Sequence, residues 1–380
     1  MRTSPAPGRP FSASEGPTGR TRRHRRRVPY LLVLGGVVPV LLLAGVRPRV
    51  ATAAPSPGAR PGAQLAALLD RPRVAPEPKS ETTPDGEFTV ERGSFRSEAQ
   101  ERVPFLLMKP AGSRGRLATV IVLHGTGGNK ERMADTLRDL AGRGLLAVAI
   151  DGRYFGERVP GGAQGSEQYQ AAILRAWREP DRAKQGHPFF YDTVYDVWRL
   201  LDCLETRPDV DAKRIGCIGF SKGGIETWLA AAADSRIRVA VPCIAVQSFR
   251  WSLEHDEWQG RARTIQKVHD EVAREIGEPG VNQTVCRRLW NKILPGILDE
   301  FDGPSLIPTI APRPLLIVSG EKDPNCPLGG AELAFQAARR AYAQAGAADR
   351  LVINVAAGVA HQVTEAQRRM AYDWLVRWLK

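Results

Sequence analysis

The sequence predicts an α/β sandwich, a mostly parallel, twisted sheet flanked by helices. Three observations predict it. Short, continuously apolar runs alternate with helical segments from residue 87 onward. A serine set between glycines stands where one such run gives way to a helix. The alternation is interrupted once, by a long stretch with helical rather than strand periodicity. Continuous apolar runs are what strands covered on both faces require, and parallel sheets bury both faces.

Residues 88–95 and 102–108 read as an opening antiparallel pair of strands. The run ATVIVL at 118–123 is a buried strand, followed by a helix over 130–141 and a strand over 145–150. A helix over 191–204 leads to a strand at 214–218, a helix at 223–233 and a strand at 239–244. After the interruption come a strand at 314–318, a helix at 331–345, a strand at 351–355 and a last helix over 364–379. The interruption, at about 247–310, carries Trp251, Trp258, Leu289 and Trp290 at helical spacing. It reads as a helical cap over the carboxyl edge of the sheet, where sites of open α/β proteins lie.

Before this body stands a different kind of chain. The formal charge of +13 divides into +11 over residues 1–73 and about +2 over the rest, so the basic character belongs to the leader. Arg22, Arg23, Arg25, Arg26 and Arg27 precede an uncharged run over 28–46, and Ala51-Thr52-Ala53 offers small residues at a cleavage position. Residues 1–53 therefore read as a signal peptide or a membrane anchor, with membrane contact through 28–46 and the chain beyond it exported. Residues 54–84, rich in Pro and Ala, read as a mobile linker, with one or two helical turns at 64–69, and 85–380 as the catalytic body. No basic, aromatic-interleaved patch recurs later, which excludes nucleic acid as the expected partner. Five cysteines, an odd number without zinc-ligand spacing, indicate no metal site; Cys217 and Cys243 fall in apolar runs as buried thiols.

Gly219-Phe220-Ser221-Lys222-Gly223 matches G-x-S-x-G. The bare pattern is weak in a chain with 37 glycines, but this copy joins a strand to a helix, the context a nucleophile elbow needs. Ser221 then needs a base. With the order serine, acid, histidine, only His361 of the six histidines follows the last strand, while His255 and His269 fall in the cap. Asp323, after the strand at 314–318, is the expected acid, with Glu321 its rival. The backbone N–H groups of Thr126, in His124-Gly125-Thr126-Gly127-Gly128, and of Lys222 are the expected oxyanion hole. His124 is expected to order that loop. Arg153 or Tyr154, at the end of a strand, either meets substrate or, for Arg153, pairs internally with Glu157 or Asp151. Trp251 and its neighbours either wall a pocket or bury the cap.

With these residues placed, the chain resembles an α/β-hydrolase of the dienelactone hydrolase and acetyl-esterase type, related to the catalytic domain of prolyl oligopeptidases. The likeness extends over about residues 85–380 and includes RYFGER at 153–158, HPFFYDT at 187–193, QSFRW at 247–251 and the segment 301–328. It implies ester hydrolysis through a Ser-His-Asp triad without a cofactor, on a small-molecule or carbohydrate-linked ester. Dienelactone hydrolases proper use a cysteine nucleophile; here the elbow holds Ser221. A peptidase or amidase with the same residues, and a tethered binding module without activity, are the competing expectations.

Overall fold

A computed structural model describes residues 60–160 and 166–380. The expected signal or anchor over 1–53, and the first residues of the expected linker, lie outside the described residues. Among the described residues no helix is long and apolar enough to cross a membrane.

The chain begins with α1 (Pro61–Leu68), β1 (Lys79–Asp85), β2 (Phe88–Glu98), β3 (Glu101–Pro110) and β4 (Leu117–Leu123). Then follow α2 (Ala134–Gly142), β5 (Leu146–Ile150), α3 (Ser166–Arg178), α4 (Tyr191–Glu205), β6 (Val210–Phe220), α5 (Lys222–Ala233) and β7 (Ile237–Cys243). The cap comprises α6 (Phe249–Glu254), α7 (Gln259–Arg263), α8 (Gln266–Glu275), α9 (Gln283–Ile293), α10 (Gly303–Leu306) and a 3-10 turn at Ile307–Ile310. The chain closes with β8 (Leu315–Gly320), α11 (Leu328–Gln344), β9 (Leu351–Ala356) and α12 (Glu365–Leu379).

One nine-stranded sheet runs in the order β1-β2-β3-β5-β4-β6-β7-β8-β9. β1 to β3 pair antiparallel and β3 meets β5 antiparallel, while β4 to β9 are mutually parallel. The apolar run at 118–123 lies inside β4, between β5 and β6, with every residue buried, as a doubly covered strand demands. On one face the core gathers α1, α3, α4, α5 and the cap; on the other lie α2 and α12.

Two expectations are corrected. Residues 60–84, read as part of a mobile tether, belong to the folded body. Pro61 starts a helix without losing a hydrogen bond, and Leu65 and Leu69 are buried in the core. Gly62 runs so close to α5 that a Cβ there would sit 2.2 Å from the Ala232 carbonyl oxygen. β1 was not legible because all seven residues of KSETTPD are exposed; an edge strand with one free side needs no apolar alternation. The cap also recruits a helix from outside 247–310. α3 packs on α8 and α9, with Trp177 and Arg178 donating to Glu275 at 2.8 and 2.7 Å. Its signal was present in Tyr169, Ala172, Ile173 and Ala176, which bury one helical face.

Candidate active site

Ser221 joins β6 to α5 with φ 53° and ψ −114°, a left-handed backbone that costs a non-glycine residue energy and turns its hydroxyl outward. The flanking glycines are required sterically. A Cβ at Gly219 would lie 2.1 Å from the Gly223 carbonyl oxygen, and one at Gly223 2.3 Å from that of Leu123. The Ser221 N–H donates to the Cys243 carbonyl at 2.9 Å, which ties the turn to the neighbouring strand.

His361 lies between β9 and α12, and its Nε2 is 2.7 Å from Ser221 Oγ. Its Nδ1 faces both oxygens of Asp323, at 2.9 and 2.7 Å. Asp323, buried after β8, also accepts from the backbone N–H groups of Asn325 and Cys326 at 2.8 and 3.0 Å. The acid and histidine loops are stitched together by Glu321 N–H to the Ala356 carbonyl and Lys322 N–H to the Val359 carbonyl. The rival acid Glu321 is otherwise engaged: its carboxylate accepts from the Gly358 N–H at 2.5 Å. Residues 140 positions apart thus converge into one hydrogen-bonded chain.

The loop expected to furnish oxyanion donors lies against the elbow. A Cβ at Gly125 would be 3.6 Å from Ser221 Cβ, and Thr126, next along, is exposed. His124 is buried and ties this loop to the turn after β5: Nδ1 donates to the Gly125 carbonyl at 2.8 Å and Nε2 accepts from the Gly152 N–H at 3.0 Å. Burial, with Lys222 nearby, pulls its pKa down to about 3. Lys222 is the first residue of α5, where backbone N–H groups lack helical acceptors. Its side chain turns inward and pairs with Glu226, both buried. Burial pushes the Glu226 carboxyl up to about 7 against that pairing. The sequence alone did not reveal this pair.

Arg153 corrects an expectation. It is buried, and its guanidinium grips Asp196 with Nε and Nη2 at 3.1 and 3.0 Å, with Glu98 as a further partner. The internal pair foreseen with Glu157 or Asp151 is also not formed, because both carboxylates are bound by Lys130. Arg158 reaches the same Asp196 at 2.6 Å, so RYFGER is a structural brace between β2 and α4. Tyr154 is half-buried against the core with φ 65°. Trp251 stacks on His255, ring centroids 4.1 Å apart, and covers Gly329, where a Cβ would touch the indole at 2.3 Å. It packs the cap onto α11.

One cap residue that the sequence did not flag reaches the acid loop. Arg261, buried in α7, donates to the Asn325 carbonyl at 3.0 Å and lies 2.9 Å from Cys326 Sγ. The preceding Gly260 lies against the same loop, where a Cβ would be 1.8 Å from the Pro324 carbonyl oxygen. The cap therefore clamps the two residues whose N–H groups hold Asp323. Donor atoms of Asp323, Cys326 and His361 lie within 4.8 Å of one another, a possible metal-ligand set by type. The arrangement is poor for a cation: Asp323 and His361 satisfy each other, burial pushes the Cys326 thiol up to about 12, and a guanidinium lies against the sulfur. All five cysteines are free and buried.

The sheet order, the strand-to-helix turn at Ser221 and the position of the histidine loop define the α/β-hydrolase fold. Comparison with known proteins agrees. The acetyl xylan esterase family model matches residues 86–250. The chain is similar to YtaP of Bacillus subtilis (strain 168), a protein named as a hydrolase, with 28% identity over 73% of this chain and 84% of the relative. It is also similar to a protein of Salmonella typhi named as a carboxymethylenebutenolidase, with 29% identity over 42% of this chain and 54% of that one. Among solved structures, the acetyl xylan esterase from Paenibacillus sp. R4 shares the fold at a TM-score of 0.60, with 21% identity over 84% of this chain and 93% of that one.

Proposed function

We propose that this protein is a serine esterase that hydrolyses carboxylic esters of small molecules or carbohydrates, short acyl groups such as acetyl foremost. The observation that carries this reading is the unbroken chain from Ser221 Oγ through His361 to Asp323. The match to acetyl xylan esterases supports ester-bond hydrolysis and the acetyl preference.

Ser221 Oγ attacks the ester carbonyl carbon while its proton passes to His361 Nε2. Asp323 accepts from Nδ1–H, fixing the tautomer that leaves Nε2 free and stabilising the imidazolium that forms. The carbonyl oxygen, now negative, rests on the Thr126 and Lys222 N–H groups. Collapse of the tetrahedral species expels the alcohol, which takes the proton from Nε2, and water then releases the acid by the same path in reverse. The basic and apolar leader supports export of the body across a membrane.

The test is fluorophosphonate labelling of the full chain beside Ser221→Ala, with p-nitrophenyl esters from acetate to octanoate. Labelling confined to the unmodified protein, with fastest turnover of acetate, is expected. Labelling with cleavage of peptide p-nitroanilides and not of esters would shift the reading to a peptidase. Absence of both labelling and turnover in the folded protein would refute the enzyme.

A further inference from the structure

Opposite the candidate site, a groove of about 890 Å³ runs along the other end of the sheet. Part of its lining gathers at the starts of the parallel strands: Lys213 early in β6, Ser235 before β7, Arg238 at the start of β7, Arg313 before β8 and Arg350 before β9. Ser221, Asp323 and His361 follow β6, β8 and β9 at the far end of the same strands. Arg60 lines the groove as well, and the lining contains no acidic residue.

Five cations in one groove are unusual in a body of nearly neutral charge, and none of them forms an ion pair among the described residues. Two nearby acids are engaged elsewhere, Asp211 with Arg214 and Asp234 with Arg236, both at 2.7 Å. Asp349, next to Arg350 in sequence, is exposed, lies outside the lining and forms no ion pair among the described residues. Arg313 is half-buried and its donors go to neutral carbonyls of Ala231, Asp234 and Ile237, which leaves its charge uncompensated. Arg60, Lys213, Arg238 and Arg350 are exposed. Trp378 lies at the groove with the Arg350 guanidinium 5.5 Å from its ring, an aromatic of the kind that favours lipid headgroup depth.

We infer that this groove docks the body on an anionic phospholipid surface, with the Ser221 edge turned away from it. The occupant is set by connectivity and charge. The leader, with its arginines and its uncharged run over 28–46, joins the body at Arg60, inside the groove. A bilayer that holds that run is linked by the sequence over 47–59 to Arg60 of this lining, and anionic headgroups supply the charge the groove lacks. Each basic residue near such a surface strengthens association about fivefold, and salt weakens it.

The test uses the full chain in vesicles, with a fluorophore on Ser235→Cys in the groove or on Lys322→Cys at the opposite edge. Native thiols are all buried, so the added cysteine takes the label. Headgroup-spin-labelled lipid is expected to quench position 235 in phosphatidylglycerol vesicles and not position 322. Lys213→Gln/Arg238→Gln/Arg350→Gln should weaken that docking about a hundredfold, and high salt should release it. Equal quenching at 235 in the triple variant, or in pure phosphatidylcholine, would overturn the inference. So would capture of soluble heparin with the same charge dependence while position 235 stays unquenched, which would assign the groove to a soluble polyanion.

Discussion

Acid should strike this protein first through two buried histidines outside the Ser221–His361–Asp323 chain. At His124, Nδ1 donates to the Gly125 carbonyl and Nε2 accepts from the Gly152 N–H. His269, in the cap, repeats the pattern, with Nδ1 facing the Ile265 carbonyl at 3.2 Å and Nε2 accepting from the Trp290 indole N–H at 3.1 Å. Protonation would set an N–H against an N–H at each Nε2, in side chains buried away from solvent. Accordingly the pKa falls to about 3 at His124 and about 4 at His269, from 6.5. Because the folded value lies below the unfolded one, the stability is fully present above pH 6.5. It is lost as pH falls toward the folded values. Between pH 7 and pH 5 each histidine costs about 2 kcal/mol, a large share of a typical 5–15 kcal/mol domain stability. Glu226, raised to about 7, works in the opposite direction over this interval, because its folded form gains a proton before the unfolded one. The decisive quantity is therefore a difference between proteins. Urea unfolding at pH 7 and pH 5 should show the pH 7-to-5 loss reduced by about 2 kcal/mol in His269→Gln relative to the unmodified protein, and similarly in His124→Asn. If both variants keep the full loss, these imidazoles are not the groups held neutral, and the reasoning fails.

The remaining predictions concern residues around the site. Arg153→Met should leave Asp196 half-paired in the core and cost about 3–5 kcal/mol of stability by chemical denaturation, with KM for p-nitrophenyl acetate unchanged; a raised KM at unchanged stability would restore the substrate role. Arg261→Met should lower kcat roughly ten- to hundredfold by loosening the loop that holds Asp323, leave KM nearly unchanged and alter the pH profile of kcat, with Arg261→Lys recovering part of it; an unaltered kcat would show that the cap does not hold the acid loop.

Much of the site could be read in the sequence because its constraints are local or ordinal. Gly219, Gly223 and Gly224 flank Ser221 because any side chain there would meet backbone or, at Gly224, the Ala245 side chain within 2.4 Å. His361 could be singled out by chain order, since it follows the last strand of the alternation. The inner strands β4, β5 and β8 were legible because both their faces are covered, so their runs are largely apolar, whereas β9 at the parallel edge is only half-buried. β1, wholly exposed, carries no such mark, and its place was set by backbone pairing with β2.

What only the tertiary structure decided are the partnerships between charged residues far apart in the chain. Arg153 has acids two and four residues away, yet pairs with Glu98 and Asp196. Arg261 carries no motif, yet it spans 64 positions to brace Asn325. The basic groove gathers residues from position 60 to position 378 that no window of sequence brings together. Glycine patterns, apolar runs and chain order record restrictions each residue meets in its own stretch of backbone, and they survive in one dimension. A long charged side chain is chosen by whichever opposite or missing charge the fold brings within a few ångströms, and that choice exists only once the strands are aligned.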